Sequence, residues 1–351
     1  MAHPSSLYRA GLTAFALLMA ANTASAGETP REQWHRAAAQ QYSALAGAAE
    51  TLEQSTADYC DTPSTDGRAT LEDDWLDAYQ RWQAVRYVQF GPVEQQSRGW
   101  QLQFWPDGKN LVGRKVKTQL NADTPPTLED VEQAGVALQG FPALEYLLYD
   151  DAMDATALES PNACGLLSAV STNLVHVTRA LEDDWQSFGE RFIGTDSYTH
   201  TLLQSAIQSV ELLEEKRLAS PLGLRGKPAS IYRAEAWRSG KSVALMRASL
   251  EGLQKGLMPG LTALLESRGH PALANKLEKQ LKEVAARADT LPDGLAPAIK
   301  GEGSGSEPEK KAAFADFQGF YVQLSQLRRL LARDVAAATG LRRGFNSSDG
   351  D

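Results

Sequence analysis

The sequence predicts an all-α protein built of antiparallel helical bundles. Three observations predict it. Apolar residues recur every three or four positions through most of the chain. No segment shows the apolar–polar alternation of a half-buried strand. The periodic runs are long and joined by short turns, which favours antiparallel neighbours. With 351 residues, 42% hydrophobic and 23% charged, the chain can bury one large core or two ordinary ones.

The chain opens with Arg9, an apolar run from Ala10 to Ala21, and Ala24-Ser25-Ala26. A basic start, a short apolar core and small residues at a cleavage position make residues 1–26 a signal peptide. The run is too short to span a bilayer, and no other stretch of about 18 apolar residues follows. The residue directly after the cleavage position is Gly27 and not cysteine, so a lipid anchor is not expected. The expected location is a bacterial periplasm, with no transmembrane segment in the mature chain. Loss of the leader, which holds one Arg and no acid, takes the formal charge from −9 to −10. An acidic chain without a basic cluster argues against nucleic acid and anionic membrane as partners.

The first half is expected at 27–165. A helix is predicted over 34–55, with Tyr42, Leu45, Ala49 and Leu52 on one face. Turn residues fill 60–67. Thr70, with Asp73 three positions on, then reads as a cap. The helix it opens carries Leu71, Trp75, Tyr79, Trp82, Val85 and Arg86 and stops before Gly91-Pro92. Phe104-Trp105-Pro106-Asp107 reads as a loop, and residues 124–130 introduce the helix that leads to 138–149. There Gly140 starts a helix, and Pro142 suits its first turn because a missing N–H costs nothing. Glu145 shares a helix face with Phe141, Leu148 and Tyr149. A carboxylate among such neighbours is costly unless it finds a partner. It is a first-turn acid favoured by the helix dipole, or a site residue facing a cation or a donor. Asp150, Asp151 and Asp154 form an acidic exit loop that lacks the glycine and ligand spacing of an EF-hand.

The second half is expected at 166–351. Helices are predicted over 164–188, 197–217, 231–255, 258–268, 271–289 and 312–338, with a Gly/Ser linker at 300–308. Gln139-Gly140-Phe141 is echoed by Gln318-Gly319-Phe320, and Trp82 by Trp237, which suggests a duplication.

Cys60 and Cys164 are the only cysteines, and an even pair in an oxidising compartment is expected to form a disulfide. The four histidines of the mature chain, His35, His176, His200 and His270, lack zincin spacing and the Glu-x-x-His of di-iron bundles. Glu211, Glu214 and Glu215 read as a solvated helix face. No nucleophile elbow, phosphate loop or dinucleotide fingerprint is present.

Several segments together resemble the imelysin (peptidase M75-like) family. Its motif is Gly-x-His-x-x-Glu on a helix; here Gly140 and Glu145 fit, and Pro142 stands where the His would be. Trp82 through Gly91-Pro92, the Phe104–Asp107 loop, Glu235-Ala-Trp-Arg-Ser-Gly240 and the tail from Gly344 resemble further family segments. The resemblance implies an all-α fold of two related antiparallel four-helix-bundle-like halves, with a site near their junction. The founding member is described as a metallopeptidase, and many relatives are linked to iron acquisition. Proline has no donor atom, so the motif lacks a ligand that a hydrolytic metal would need. The expectation is a non-catalytic binding or accessory component of iron or other metal uptake, its pocket between the bundles. Glu145, Arg86, Trp105, Asp107, Trp237 and Arg238 are the candidate ligand contacts, and Glu145 the candidate metal contact. Iron, another divalent metal or an iron complex is the expected ligand, and periplasmic or outer-membrane uptake components the expected partners. The alternatives are a metallopeptidase drawing ligands from elsewhere, and a structural or partner-binding helical protein.

Overall fold

The computed structural model describes residues 28–299 and 301–341. The predicted leader and the Gly344–Asp351 tail lie outside the described residues. Among the described residues the chain is helices and turns, with no strand. None of these helices is long and apolar enough to cross a membrane.

Helix α1, Pro30–Asp61, starts at a capping box in which Thr29 and Glu32 satisfy each other's backbone N–H groups. Helix α2, Thr65–Val85, follows after a turn much shorter than expected. Ser64, not Thr70, is the cap: its Oγ accepts the Gly67 N–H, and Thr70 donates back into the helix to the Asp66 carbonyl. Short helices α3 (Arg98–Leu102), α4 (Leu111–Leu120) and α5 (Leu128–Gln133) lead to α6, Gly140–Tyr149. Gly140 has φ +67°, and a Cβ there would lie 2.2 Å from the Leu102 carbonyl oxygen. Only glycine lets α6 begin against that backbone. After α7 (Ala155–Leu158) comes α8, Pro161–Phe192, which packs along α1, α5 and α6. The Cys60–Cys164 disulfide joins the end of α1 to the start of α8.

The remaining helices form a second group. Helix α9, Asp196–Glu211, runs through a π-helical stretch, Leu212–Ala219, into α10, Ser220–Leu222. Helix α11, Ser242–Gly252, passes through Leu253–Leu257 into α12, Met258–Ser267, and α13 is Pro271–Asp289. Helix α14, Glu307–Arg329, passes through Leu330–Val335 into α15, Ala336–Ala338. Helix α14 packs on α13 and α9, and α11 packs on α13.

The groups meet where α2 crosses α11 and α1 crosses α12. A Cβ on Gly252 would lie 1.9 Å from the Ala84 carbonyl oxygen, so glycine sets how closely α2 and α11 approach. One turn further on, the Trp34 Nε1 donates to the Leu257 carbonyl at 2.7 Å.

The expected division at 165/166 falls inside α8, which is continuous and lies against α1. Two further expectations need correction. The Gln-Gly-Phe echo joins unlike structures, since Gly140 opens α6 with positive φ while Gly319 sits inside α14. The helix expected over 231–255 begins only at Ser242.

Candidate functional site

The segment before Ser242 is irregular because its own side chains take its carbonyls. Ser242 Oγ donates to the Glu235 carbonyl, and Ser239 Oγ lies 3.2 Å from the Ala236 carbonyl. The Lys241 N–H takes the same Ala236 carbonyl at 3.2 Å, and Ala236 and Gly240 both adopt positive φ. Serines bonded to nearby backbone compete with helix formation. The Ser239 N–H is thereby free to point across the junction at α6. There it donates to Glu145 Oε1 at 2.9 Å, and the Ser239 hydroxyl donates to the same oxygen at 3.0 Å.

Glu145 is 4% exposed. Burial pushes its carboxyl above the usual carboxylate range; the Ser239 N–H, the Arg238 charge and the Ser239 hydroxyl pull the other way. The Arg238 backbone N–H also bears on the carboxylate, and the residue lines a cavity of about 640 Å³.

That cavity takes Pro142 and Glu145 from α6, Tyr79 from α2, the loop from Phe104 to Asn110, and the turn around Tyr232 to Arg238. Glu145, Trp105, Asp107, Trp237 and Arg238 all lie on its wall. Asp107 caps α4, its carboxylate accepting the Leu111 and Val112 N–H groups at 2.7 and 2.9 Å. Arg238 reaches Asp150 at 2.8 Å and Asn110 at 3.1 Å, with its guanidinium 4.3 Å above the Trp237 ring. Asp150 is therefore a partner of Arg238, and Asp154 caps α7 through the Ala157 N–H.

Arg86 is not on that wall. It lies in a buried polar network beneath, its Nη1 3.2 Å from Glu235 Oε1. Glu235 is 1% exposed and Arg217, from the π-helical stretch, 2%. Their contact is ionic rather than a well-aligned hydrogen bond, and Arg217 Nε has no acceptor. Gln103 and Gln83 also donate to Glu235, Gln83 at 3.2 Å, and Tyr79 reaches it at 3.5 Å. Trp82 donates to Gln103 at 2.8 Å and Arg217 to Ser249 at 2.8 Å. Burial lowers the Arg217 proton affinity and the Glu235 charge opposes it. Sequence reasoning missed Glu235, Arg217 and Gln103 as a unit. The only signal was that Glu235 heads the Ala-Trp-Arg-Ser-Gly run.

Glu214 is also corrected. It is buried, not solvated, and holds Arg328 and Ser325 of α14.

The donor set does not fit a resident metal with several protein ligands. Among the described residues no group of three or more His, Cys, Asp or Glu is placed to hold one. Around Glu145 the other two acids are already taken, Asp107 by α4 and Asp150 by Arg238.

The family model described as imelysin, peptidase M75, matches residues 38–331. The chain belongs to the imelysin family. An imelysin-like protein of Psychrobacter arcticum 273-4 superposes with a TM-score of 0.77 at 25% identity, covering 91% of this chain and 98% of that one. A provisionally named iron-regulated protein A precursor of Parabacteroides distasonis ATCC 8503 superposes with a TM-score of 0.59. It is 13% identical over 87% of this chain and 97% of that one, and shows the fold alone. No curated protein matches the chain. Gly140 stands at the start of α6, and Pro142 and Glu145 of the same helix lie on the cavity wall.

Proposed function

We propose that this imelysin is an exported, non-catalytic binding component of iron acquisition that holds its ligand over Glu145. One observation carries the reading. A single cavity draws on α6, the Phe104–Asn110 loop and the Tyr232–Arg238 turn, and its wall includes one buried carboxylate, Glu145, which Ser239 holds by one oxygen. A buried carboxylate fixed at a cavity wall is suited to recognition.

Pro142, beside it on the wall, brings no donor atom. A hydrolytic metal needs several ligands and a position for water, so the motif as it stands favours holding over cutting. The iron direction is supported by the resemblance to the family, many of whose members are linked to iron acquisition. The Cys60–Cys164 bridge suits an oxidising compartment such as the periplasm.

The test is equilibrium dialysis of the mature protein against Fe²⁺ and against ferric nitrilotriacetate, with Glu145→Gln in parallel. One equivalent should bind, and the variant should lose at least about tenfold in affinity. Absence of binding in either form would leave a structural or partner-binding helical protein. Hydrolysis of casein that disappears with chelator would overturn the non-catalytic assignment.

A further inference from the structure

The chain as a whole is acidic, at a formal −9, but the folded surface does not share that charge evenly. From Gly108 to Ala122 there is no acid, and the segment carries Lys109, Arg114, Lys115 and Lys117. All of these cations are exposed, and none pairs with a carboxylate among the described residues. Helix α4 turns its three outward. Val112, Gly113 and Val116 are buried, and helical spacing places Arg114, Lys115 and Lys117 within about 160° on the opposite side. Asp107, the acid before the segment, is spent on two α4 N–H groups, and Asp123, the acid after it, lies past the helix end. The lysines of α13 show the ordinary arrangement, with Lys279 and Lys282 facing Glu283 and Glu278 one turn away.

Helices α3 and α4 both pack on the turn Val136–Leu138. Trp100 of α3 is 51% exposed, its ring 6.0 Å from that of Phe104. Phe104 and Lys109 both line the cavity over Glu145, so the cationic face and the exposed indole border the same opening. Trp and Arg are the residues that most often carry the binding energy of protein contacts. We infer that the outward face of α4, with Lys109 and Trp100, docks a protein partner whose contact face is acidic. Charge complementarity points to such a partner. Within a screening length of about 8 Å the cations attract carboxylates, while acids farther off on this chain are screened. An anionic bilayer fits less well. It is a plane wider than the patch and would meet the surrounding acids, and α4 keeps its valines buried and has none to insert. A second copy fits less well too, because it brings the same net negative charge and would set unlike faces together, a contact that does not close into a dimer. The partner would sit at the cavity opening whatever the cavity holds, so this inference stands apart from the iron-binding reading.

The experiment follows a fluorescein-labelled decaglutamate peptide by anisotropy on the mature full chain at low salt. The peptide should bind, with affinity falling as salt rises. Arg114→Glu with Lys115→Glu should weaken it at least about tenfold, and Arg114→Gln with Lys115→Gln, which only neutralises the face, should weaken it in the same sense. Lys279→Glu with Lys282→Glu on α13 should leave the affinity within about twofold of wild type. A decaglutamate with one central leucine should bind more tightly than the parent peptide, and Trp100→Ala should erase that difference. Absence of peptide binding at low salt would overturn the inference, as would an equal loss in the α13 variant. Binding to phosphatidylglycerol vesicles that the α4 variants lose would overturn it in favour of a lipid surface. Self-association in sedimentation that the α4 variants lose would overturn it in favour of a second copy. Each of these outcomes leaves the iron-binding reading where it stands.

Discussion

Glu235→Gln keeps the shape of the side chain and removes its charge, and the structure sets the cost. The native carboxylate faces Arg86 at 3.2 Å and Arg217 in direct ionic contact. Arg217 is 2% exposed and can reach no water, whereas the Arg86 side chain is 17% exposed and keeps some hydration. The glutamine amide would also aim N–H donors at guanidinium and at the Gln103 and Gln83 amides, which already donate there. Removing one partner of a buried ion pair costs about 3–5 kcal/mol. That is a large share of a total stability of roughly 5–15 kcal/mol. At roughly 2–4 °C per kcal/mol, the melting midpoint should fall by about 6–20 °C. Urea denaturation followed by circular dichroism measures the loss, provided the slope stays that of the wild type. A companion variant, Glu235→Leu with Arg217→Met, removes both buried charges and should recover much of it, because apolar residues often replace a buried pair at little cost. A Glu235→Gln protein within about 1 kcal/mol of wild type would refute the reasoning, as would a double variant no more stable than the single one.

Cys60→Ser with Cys164→Ser opens a loop of 104 residues, for which chain entropy assigns about 5 kcal/mol; a thermal midpoint equal to that of the oxidised protein would contradict it. Burial raises the Glu145 carboxyl above its ordinary 4.5, so the folded state holds the proton more tightly than the unfolded chain. That contribution is complete below about pH 4.5 and is lost as pH rises through the folded value, so unliganded Glu145→Gln should gain stability relative to wild type between about pH 4 and 7. Denaturation midpoints whose difference is flat or slopes the other way would show that burial does not govern this group. Pro142→His restores an imidazole three residues before Glu145 on the cavity wall, so Zn²⁺ affinity by titration should rise at least about tenfold with the fold unchanged; no gain would mean that position 142 does not face the site.

Most of the fold was legible because helix periodicity survives in single sequences. The failures have local and long-range causes. Thr70 and Ser64 are both plausible caps by residue type, and only the Gly67 N–H on Ser64 decides between them. The run from Ile231 to Gly240 has helical residue types, but its serines satisfy the nearby carbonyls and hold it open. Glu214 looked solvated because its partners, Ser325 and Arg328, lie more than a hundred residues away. The same distance hid the pairing of Glu235 with Arg86 and Gln103. The cavity residues were easier to name than to assign. Trp105, Asp107, Trp237 and Arg238 do share a wall with Glu145, yet Asp107 is there as a helix cap and Arg238 as the partner of Asp150.

Scaffold and chemistry are separable in this site. Pro142 lies in the first turn of α6, where backbone N–H groups have no partner within the helix, so proline there costs the helix nothing. What fixes Glu145 lies elsewhere: Gly140 seats the helix start against Leu102, and Ser239 holds one carboxylate oxygen from the other side of the junction. Ser239 in turn depends on a turn anchored at Glu235, whose carboxylate is fixed by α2 and by the π-helical stretch that carries Arg217. The position that would carry a catalytic ligand can therefore change without disturbing the carboxylate that remains. A change at Glu235 or Gly140 would reach Glu145 through the backbone that positions it.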